Sequence, residues 1–159
     1  MDELLRLLQK NALETPADLA KVLDSTEEDV RSKISEYEDS GIIRGYQAIV
    51  DEDRLELNRV RAVIEVRITP EREGGFDHLA QRLSRFSEVE SLFLMSGGYD
   101  LLVIVKGETL KEVAFFVSEK LATVNGVIST GTHFMLKTYK DQGVLMQDEK
   151  ERERLQVSP

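Results

Sequence analysis

The sequence contains no cysteine and only two histidines, His78 and His133. Without a thiol, the chain can form no disulfide scaffold, thiol nucleophile or zinc–thiolate site. The two histidines are too few and too isolated to indicate a metal centre. The sequence also shows no pairing of nucleophile and base, no phosphate-binding loop and no metal-ligand spacing. We therefore expect no enzyme activity and no bound metal or cofactor.

Long apolar runs are missing as well. No stretch approaches the length that a helix needs to cross a bilayer, and the start, Met1-Asp2-Glu3, lacks the basic region of a secretory signal peptide. Of the 159 residues, 41% are hydrophobic and 32% are charged, a balance typical of a globular protein. A chain of this length holds one ordinary domain or two small ones. We expect a cytoplasmic protein without a membrane partner.

Positive charge is scarce, above all in the N-terminal part. The formal net charge is −9. Residues 1–50 contain 6 Lys or Arg and 11 Asp or Glu, which gives −5, and the other 109 residues contain 15 and 19, which gives −4. Net charge influences solubility and the choice of partner rather than the fold. This distribution therefore bears on any contact that the N-terminal part makes with nucleic acid.

The segment from Thr15 to Tyr46 has the pattern of a helix-turn-helix with an exit strand. Thr15, followed by Pro-Ala-Asp, favours a first helix because the Thr oxygen caps free N–H groups and Pro suits the first turn. Thr26 begins a second helix in the same way, and Gly41 suits the left-handed conformation that often ends one. Two short helices joined by a tight turn present one helix to the major groove of DNA in many proteins.

An amphipathic helix from Asp2 to Asn11 precedes this pair. We therefore predict a three-helix, helix-turn-helix DNA-binding domain over residues 1–50. The second helix of the helix-turn-helix, from Thr26 to Asp39, is the candidate recognition helix. Residues 51–59 are polar and charged and predict a linker.

From Val60 the apolar residues follow a period of two instead of a helical period. Val60 to Ile68 predicts a half-buried strand. The rest of the pattern predicts a helix over 76–86, strands over 89–95 and 99–106, a helix over 110–121 and a last strand from Val127 to about Tyr139. The order β-α-β-β-α-β predicts a ferredoxin-like domain over 60–141, an antiparallel sheet with both helices on one face. The fold class is therefore α+β, with a charged C-terminal tail at 142–159.

The third predicted strand, Leu101-Leu102-Val103-Ile104-Val105, is apolar on both faces. Helices of the same chain cover only one face of such a sheet. The other face needs a partner, and a copy of the same chain is the simplest one. We expect an obligate homodimer or a larger ring.

Four segments, in this order and spacing, resemble the leucine-responsive/asparagine regulator family, Lrp/AsnC. The resemblance extends from Met1 to about Asp141. It implies a transcription regulator with a winged helix-turn-helix, whose C-terminal domain dimerises and senses an amino acid or a related metabolite. The implied partners are double-stranded promoter DNA and a small-molecule effector, which in this family lies between dimers of an octamer or a similar ring. The segments are Ser40-Gly41-Ile42-Ile43-Arg44-Gly45-Tyr46, Val63-Ile64-Glu65-Val66, Met95-Ser96-Gly97-Gly98-Tyr99-Asp100 and Gly126-Val127-Ile128-Ser129-Thr130.

The exposed positions of the candidate recognition helix are the predicted DNA contacts. Ser and Thr bond base edges or phosphates, an Arg can hold guanine with two hydrogen bonds, and an Arg beyond the helix can reach a phosphate. The alternative is that the two cations of the helix pair with Glu27, Glu28 or Asp29. The candidates are Thr26, Arg31, Ser32, Lys33, Ser35 and Arg44.

The Gly-Gly turn between the second and third strands of the sheet is the predicted effector site. Its glycines bring N–H groups close to a carboxylate, Asp100 suits an ammonium group and Tyr99 suits a pocket wall. The alternative is a plain hairpin turn, with Tyr99 in the core and Asp100 bonded to its own backbone; the family resemblance favours the ligand. The candidates are Met95, Ser96, Gly97, Gly98, Tyr99, Asp100, Thr130 and Thr132, the last two offering hydroxyls from the final strand.

Recognition helices of this family usually hold several Arg or Lys. The segment from Thr26 to Asp39 instead carries six acidic and two basic residues, a net −4, and a surface that neutralises phosphates is not usually so acidic. The alternative to a DNA-binding regulator is therefore an amino-acid-sensing oligomer that acts through a protein partner. An enzyme that uses the sheet face is a further alternative, with no constellation of residues in its favour.

Overall fold

A computed structural model describes residues 2–55, 59–70 and 75–146. Contacts within the chain divide it into two compact units, with the boundary between Ile49 and Val50. Each unit has a hydrophobic core of its own. None of the helices described is long and apolar enough to cross a membrane.

The first unit contains three helices, α1 (Glu3–Lys10), α2 (Pro16–Val22) and α3 (Glu27–Asp39). Each begins after a residue whose side chain accepts a hydrogen bond from a free N–H of the first turn, and these residues are Asp2, Thr15 and Thr26. The helices share a buried core, which consists of Leu4, Leu8, Leu19, Ala20, Val30 and Tyr37. The predicted three-helix arrangement and both predicted Thr caps are confirmed.

The end of α3 differs in part from the prediction. Gly41 has a φ of 71°, the left-handed conformation expected of it, and the Ile43 N–H bonds the Tyr37 carbonyl at 2.9 Å. The predicted exit strand, however, is wrong for the single chain, because residues 44–50 have no regular secondary structure. A strand needs a neighbouring backbone to bond with, and the described part of the first unit contains no other strand.

The second unit is built on a four-stranded sheet with the strand order β2-β3-β1-β4. All neighbouring strands are antiparallel. The strands are β1 (Val60–Ile68), β2 (Val89–Leu94), β3 (Leu101–Gly107) and β4 (Val127–Phe134). Helix α4 (Asp77–Leu83) connects β1 to β2, and α5 (Leu110–Phe115), continued by a π-helical turn over Phe116–Leu121, connects β3 to β4. The predicted α+β class and the order β-α-β-β-α-β are confirmed.

The two faces of the sheet have different surroundings. On the inner face, alternate residues of β1 and β3 are buried together with residues of α4 and α5, such as Leu83 and Val113. Residues between them point to the opposite face, which we call the outer face. It includes Val63, Glu65 and Arg67 of β1, Leu102 and Ile104 of β3, Phe93 of β2 and His133 of β4. Phe93 remains 50% exposed there.

The C-terminal part of the second unit was predicted less well. Strand β4 ends at Phe134 instead of near Tyr139, and a small hairpin of β5 (Lys140–Asp141) and β6 (Val144–Leu145) follows. Strands of two residues are too short to show an alternating pattern. In the predicted linker, Glu52–Leu55 form a 3₁₀ turn, and residues 56–58 lie outside the described residues. The predicted tail lies outside them from residue 147 onward.

Candidate functional site

The structure places the predicted DNA contacts on the exposed side of α3 and just beyond its end. The Thr26 hydroxyl belongs to the helix cap, because its Oγ1 accepts the Asp29 N–H at 3.1 Å and donates to Asp29 Oδ2 at 2.6 Å. Ser32 and Ser35 are exposed. At about 100° per residue, they lie on the side of the helix opposite the buried Val30. Their hydroxyls therefore point away from the core of the unit.

Both cations of α3 take part in ion pairs. Arg31 Nε and Nη2 donate to Glu27 Oε1 at 2.9 and 2.6 Å, and Glu27 is one of the three partners that the sequence left open. Lys33 Nζ instead reaches Asp2 Oδ2 at the cap of α1, and this hydrogen bond raises the pKa of Lys33 and lowers the pKa of Asp2. The side chains of Arg31 and Lys33 are 63% and 46% exposed. Exposed ion pairs contribute little to stability, so a phosphate can replace either carboxylate at small cost.

Arg44 differs from the two cations of α3. Its side chain is exposed, and its guanidinium lies beside Gly41, where an added Cβ would come within 2.9 Å of Arg44 Cζ. No carboxylate among the described residues pairs with it. Arg44 is therefore a cation directly after α3 that is available to an anionic partner.

The predicted effector residues form the β2–β3 loop, Met95–Asp100. The Met95 N–H bonds the Asp100 carbonyl at 2.8 Å across the base of the loop. Gly97 has a φ of 152°, a conformation that favours glycine. Ser96, Gly97 and Gly98 are exposed, whereas Tyr99 and Asp100 are half-buried. The loop therefore presents backbone groups to solvent above a partly covered aromatic ring and carboxylate.

Three hydrogen bonds fix this loop to β1. They join the Asp100 N–H to the Val66 carbonyl at 3.0 Å, the Ile68 N–H to Asp100 Oδ2 at 2.8 Å, and Arg67 Nε to the Gly98 carbonyl at 2.9 Å.

The bond to Ile68 assigns the Asp100 carboxylate a structural role. The pairing of β1 with β4 shifts register between Arg67 and Ile68, and Asp100 Oδ2 accepts the Ile68 N–H at this irregularity. The alternative, in which Asp100 bonds its own backbone, is therefore wrong, because the carboxylate accepts the Ile68 N–H of β1 instead. A carboxylate has two oxygens that accept several hydrogen bonds, so Oδ1 is still able to receive a ligand ammonium group.

The two predicted threonines lie on β4, on the same end of the sheet as the loop. Thr130 is opposite Val66, which is itself opposite Leu101 at the start of β3. Two strand spacings therefore separate Thr130 from Leu101, or about 10 Å. Thr132 is opposite Ile64 and lies farther from the loop. Both threonines share the inner face with these buried residues and are half-buried, so Thr130 is the nearer of the two to Asp100.

A cavity that the sequence analysis missed lies between β3 and α5, at the other end of β3. Its volume is about 450 Å³, within the usual range for small-molecule sites. The lining includes Val105, Phe115 and Phe116, and none of the predicted effector residues belongs to it. Lys120 donates to Glu88 at the cavity, and this hydrogen bond lowers the pKa of Glu88. Its apolar residues fit the ordinary core patterns of a strand and a helix, so no sequence pattern marks the cavity.

Comparison with known proteins decides the family. A family model described as the Lrp/AsnC ligand binding domain matches residues 61–145. The uncharacterized HTH-type transcriptional regulator YugG of Bacillus subtilis is 40% identical over 158 residues, 99% of this chain and 95% of that protein. The chain belongs to the Lrp/AsnC family. Members of the Lrp/AsnC family are transcription regulators rather than enzymes.

More distant proteins match most of the chain. The proline dehydrogenase transcriptional activator of Rhodobacter capsulatus is 27% identical over 139 residues, 87% of this chain and 90% of that protein. The crystal structure of the regulator NMB0573 of Neisseria meningitidis with L-Met is 25% identical, with a TM-score of 0.69 over 89% of this chain and 93% of that one. The AsnC structure of Escherichia coli, at 22% identity, has a TM-score of 0.65 over 87% and 93% of the two chains. The likeness to AsnC supports the Lrp/AsnC fold.

Proposed function

We propose that this Lrp/AsnC protein binds double-stranded promoter DNA through α3 and responds to an amino acid or a related metabolite at the β2–β3 loop. The observation that carries the proposal is the pairing of a helix-turn-helix unit with the family's ligand-binding domain in one chain. We assign DNA binding to residues 1–50, a linker to 51–59, sensing and dimerisation to 60–141 and a charged tail to 142–159.

The proposed DNA contacts are exposed residues of α3 and one cation beyond its end. Arg31, Ser32, Lys33 and Ser35 are exposed on the helix, and Arg44 follows it. The pairs of Arg31 with Glu27 and of Lys33 with Asp2 have to open or rearrange for these cations to reach phosphate or guanine. We therefore expect weak binding by each protomer, offset by several copies acting together on one DNA.

The chemistry of the β2–β3 loop supports an amino-acid effector. A carboxylate of the ligand is expected at the exposed glycine backbone, and its ammonium at Asp100 Oδ1, with Thr130 on the same end of the sheet. The relative NMB0573 was solved as a complex with L-Met, so L-methionine is the first probe. Met95, at the base of the loop, and Thr132, farther along β4, complete the proposed site.

The outer face of the sheet supports a homodimer, and from it an octamer or similar ring. Phe93 is 50% exposed on this face, with Leu102 and Ile104 beside it on β3. Burial of such a face against a second copy stabilises the pair in proportion to the apolar area covered. Ile104→Glu, which alters only the outer face, is therefore expected to give a folded monomer in sedimentation velocity.

Calorimetric titration with L-methionine tests the effector site. Asp100→Asn keeps an oxygen for the Ile68 N–H but removes the charge that attracts the ammonium, so we expect binding to weaken by tenfold or more. Phe115→Ala, in the cavity near α5, is the matched control and is expected to bind as the wild type does. Loss of binding in Phe115→Ala with normal binding in Asp100→Asn would move the site to the cavity and overturn the assignment.

One observation favours a second candidate function, that of an amino-acid sensor acting through a protein partner. Glu28 and Asp39 lie on the same side of α3 as Ser32 and Ser35, and both cations of the helix already pair with carboxylates. An acidic surface suits a basic protein better than DNA. Effector binding without any preference between DNA sequences would favour this function over the first.

A further inference from the structure

Arg67 joins two parts of the second unit that the proposed function treats separately. It lies on the outer face of β1, because it is exposed between the buried Val66 and Ile68. Its Nε nevertheless donates to the Gly98 carbonyl of the β2–β3 loop at 2.9 Å. Arg61, on the same face of the same strand, donates to Glu90 at 3.0 Å, and no hydrogen bond joins its side chain to Met95–Asp100.

The bond from Arg67 reaches the most adaptable part of the loop. Gly97 and Gly98 lack side chains and adopt many backbone conformations. The other bonds to β1 are made by Asp100, at the end of the loop. Holding the Gly98 carbonyl restricts the glycine pair, and a site that is ordered before binding loses less entropy when the ligand arrives.

We propose that Arg67 is a positioning residue that holds the β2–β3 loop ready for its ligand and couples this loop to coverage of the outer face. The inference rests on the effector site and the homodimer proposed above. A second copy over the outer face removes water from around Arg67, and a charge-assisted hydrogen bond gains strength in less polar surroundings. Dimerisation and effector binding then favour each other, and the effect is equal in both directions.

Hydrogen exchange of the segment Met95–Asp100, followed by mass spectrometry, tests the proposal without any effector. Arg67→Met keeps much of the side-chain volume and removes the donor. We expect exchange in this segment to become about fivefold faster, the change that one ordinary hydrogen bond is worth. Arg67→Lys retains a donor and is expected to restore part of the protection. Arg61→Met, the control on the same strand and face, is expected to leave the segment unchanged.

A double-mutant cycle with Ile104→Glu tests the coupling. Ile104→Glu alone is expected to give a monomer whose loop exchanges faster than that of the wild-type dimer. In the Arg67→Met background, Ile104→Glu is expected to change loop exchange little further, because the hydrogen bond that connects the outer face to the loop has already been removed. Purely additive effects, or an Ile104→Glu protein that remains dimeric, would overturn the coupling. An unchanged loop in Arg67→Met would overturn the positioning role itself.

Calorimetry with L-methionine separates this inference from the proposed function. Arg67→Met is expected to weaken L-methionine binding about fivefold, with thermal melting showing that the variant is folded. If Arg67→Met changes neither loop exchange nor L-methionine binding while the wild type binds it, Arg67 has no positioning role. If the wild type binds no L-methionine, this choice of effector fails, and the exchange cycle still decides whether Arg67 positions the loop.

Discussion

The Asp100 carboxylate accepts the backbone N–H of Ile68 at 2.8 Å, although the two residues are 32 positions apart. The bond lies where β1 shifts register against β4, so Asp100 completes the sheet as well as contributing to the proposed effector site. A substitution of Asp100 is therefore expected to change stability as well as the proposed ligand binding, and these two effects have to be measured separately.

Asp100→Ala is expected to destabilise the fold. Removal of the acceptor leaves the partly buried Ile68 N–H unpaired, which costs about 1–3 kcal/mol. Asp100→Asn keeps an oxygen at this place and is expected to cost clearly less. The free energy of unfolding in urea measures both, and equal losses in the two variants would show that the hydrogen bond to Ile68 contributes little.

Thr26→Ala tests the double role of a cap residue that was predicted to contact DNA. Loss of the cap is expected to reduce the free energy of unfolding by about 1 kcal/mol. Thr15→Ala is the matched control, because Thr15 caps α2 with the same pair of bonds, to the N–H and the carboxylate of Asp18. Both variants should lose similar stability in urea. A fall in DNA affinity in Thr26→Ala alone would identify a contact to DNA, whereas equal affinities would restrict Thr26 to the cap.

Glu27→Gln is expected to strengthen DNA binding. The change removes a negative charge from α3 and releases Arg31 from its partner at 2.6 Å, so affinity at low salt should rise about threefold and become more dependent on salt. Glu3→Gln is the control, because Glu3 forms a similar exposed pair with Arg6 in α1. Fluorescence anisotropy with one duplex measures both variants. Equal affinities would indicate that the acidic residues of α3 do not oppose DNA.

The ion pair between Glu88 and Lys120 predicts a loss of stability in acid. The hydrogen bond from Lys120 holds the pKa of Glu88 below its ordinary value of 4.5. Its contribution is therefore complete above pH 4.5 and disappears as the pH falls through the lowered pKa. Lys120→Met is expected to melt at a lower temperature than the wild type at neutral pH, by the equivalent of about 1 kcal/mol or less. The difference should vanish in stronger acid.

Lys111→Met is the control for this measurement. Lys111 lines the same cavity near α5 and forms no ion pair with a described residue. Its melting temperature should follow that of the wild type at every pH. A difference between Lys120→Met and the wild type that persists in stronger acid would contradict a stabilising charge on Glu88.

Local patterns predicted most of the elements of this fold. The Thr caps, the left-handed Gly41 and the alternation of β1 each depend on neighbours within a few residues, so the sequence displays them directly. The outer face was predicted for the same reason, since Leu101 to Val105 is apolar in every position. The missing exit strand at 44–50 depends instead on a second backbone, which no local pattern of one segment contains.

The details of the candidate sites depended on contacts between distant residues. The helical spacing allowed both DNA contact and pairing with Glu27 for Arg31, and only the structure shows that the pair forms. The pairing of Lys33 with Asp2 and the bond from Arg67 to Gly98 join different elements, which no spacing reveals. The composition of the Met95–Asp100 loop was sufficient to predict it as a candidate site. The bonds that fix it to β1 could not be predicted from the sequence.

The most direct test of DNA regulation is the anisotropy of labelled DNA from upstream of the protein's own gene. A scrambled duplex of equal length serves as the control, and both are titrated over a series of salt concentrations. We expect clear preference for the upstream fragment with a modest dependence on salt, because few cations of α3 are available to phosphate. Equal binding of both duplexes at every salt concentration, by a protein shown to be folded and dimeric, would contradict sequence-specific regulation and favour the sensor that acts through a protein partner.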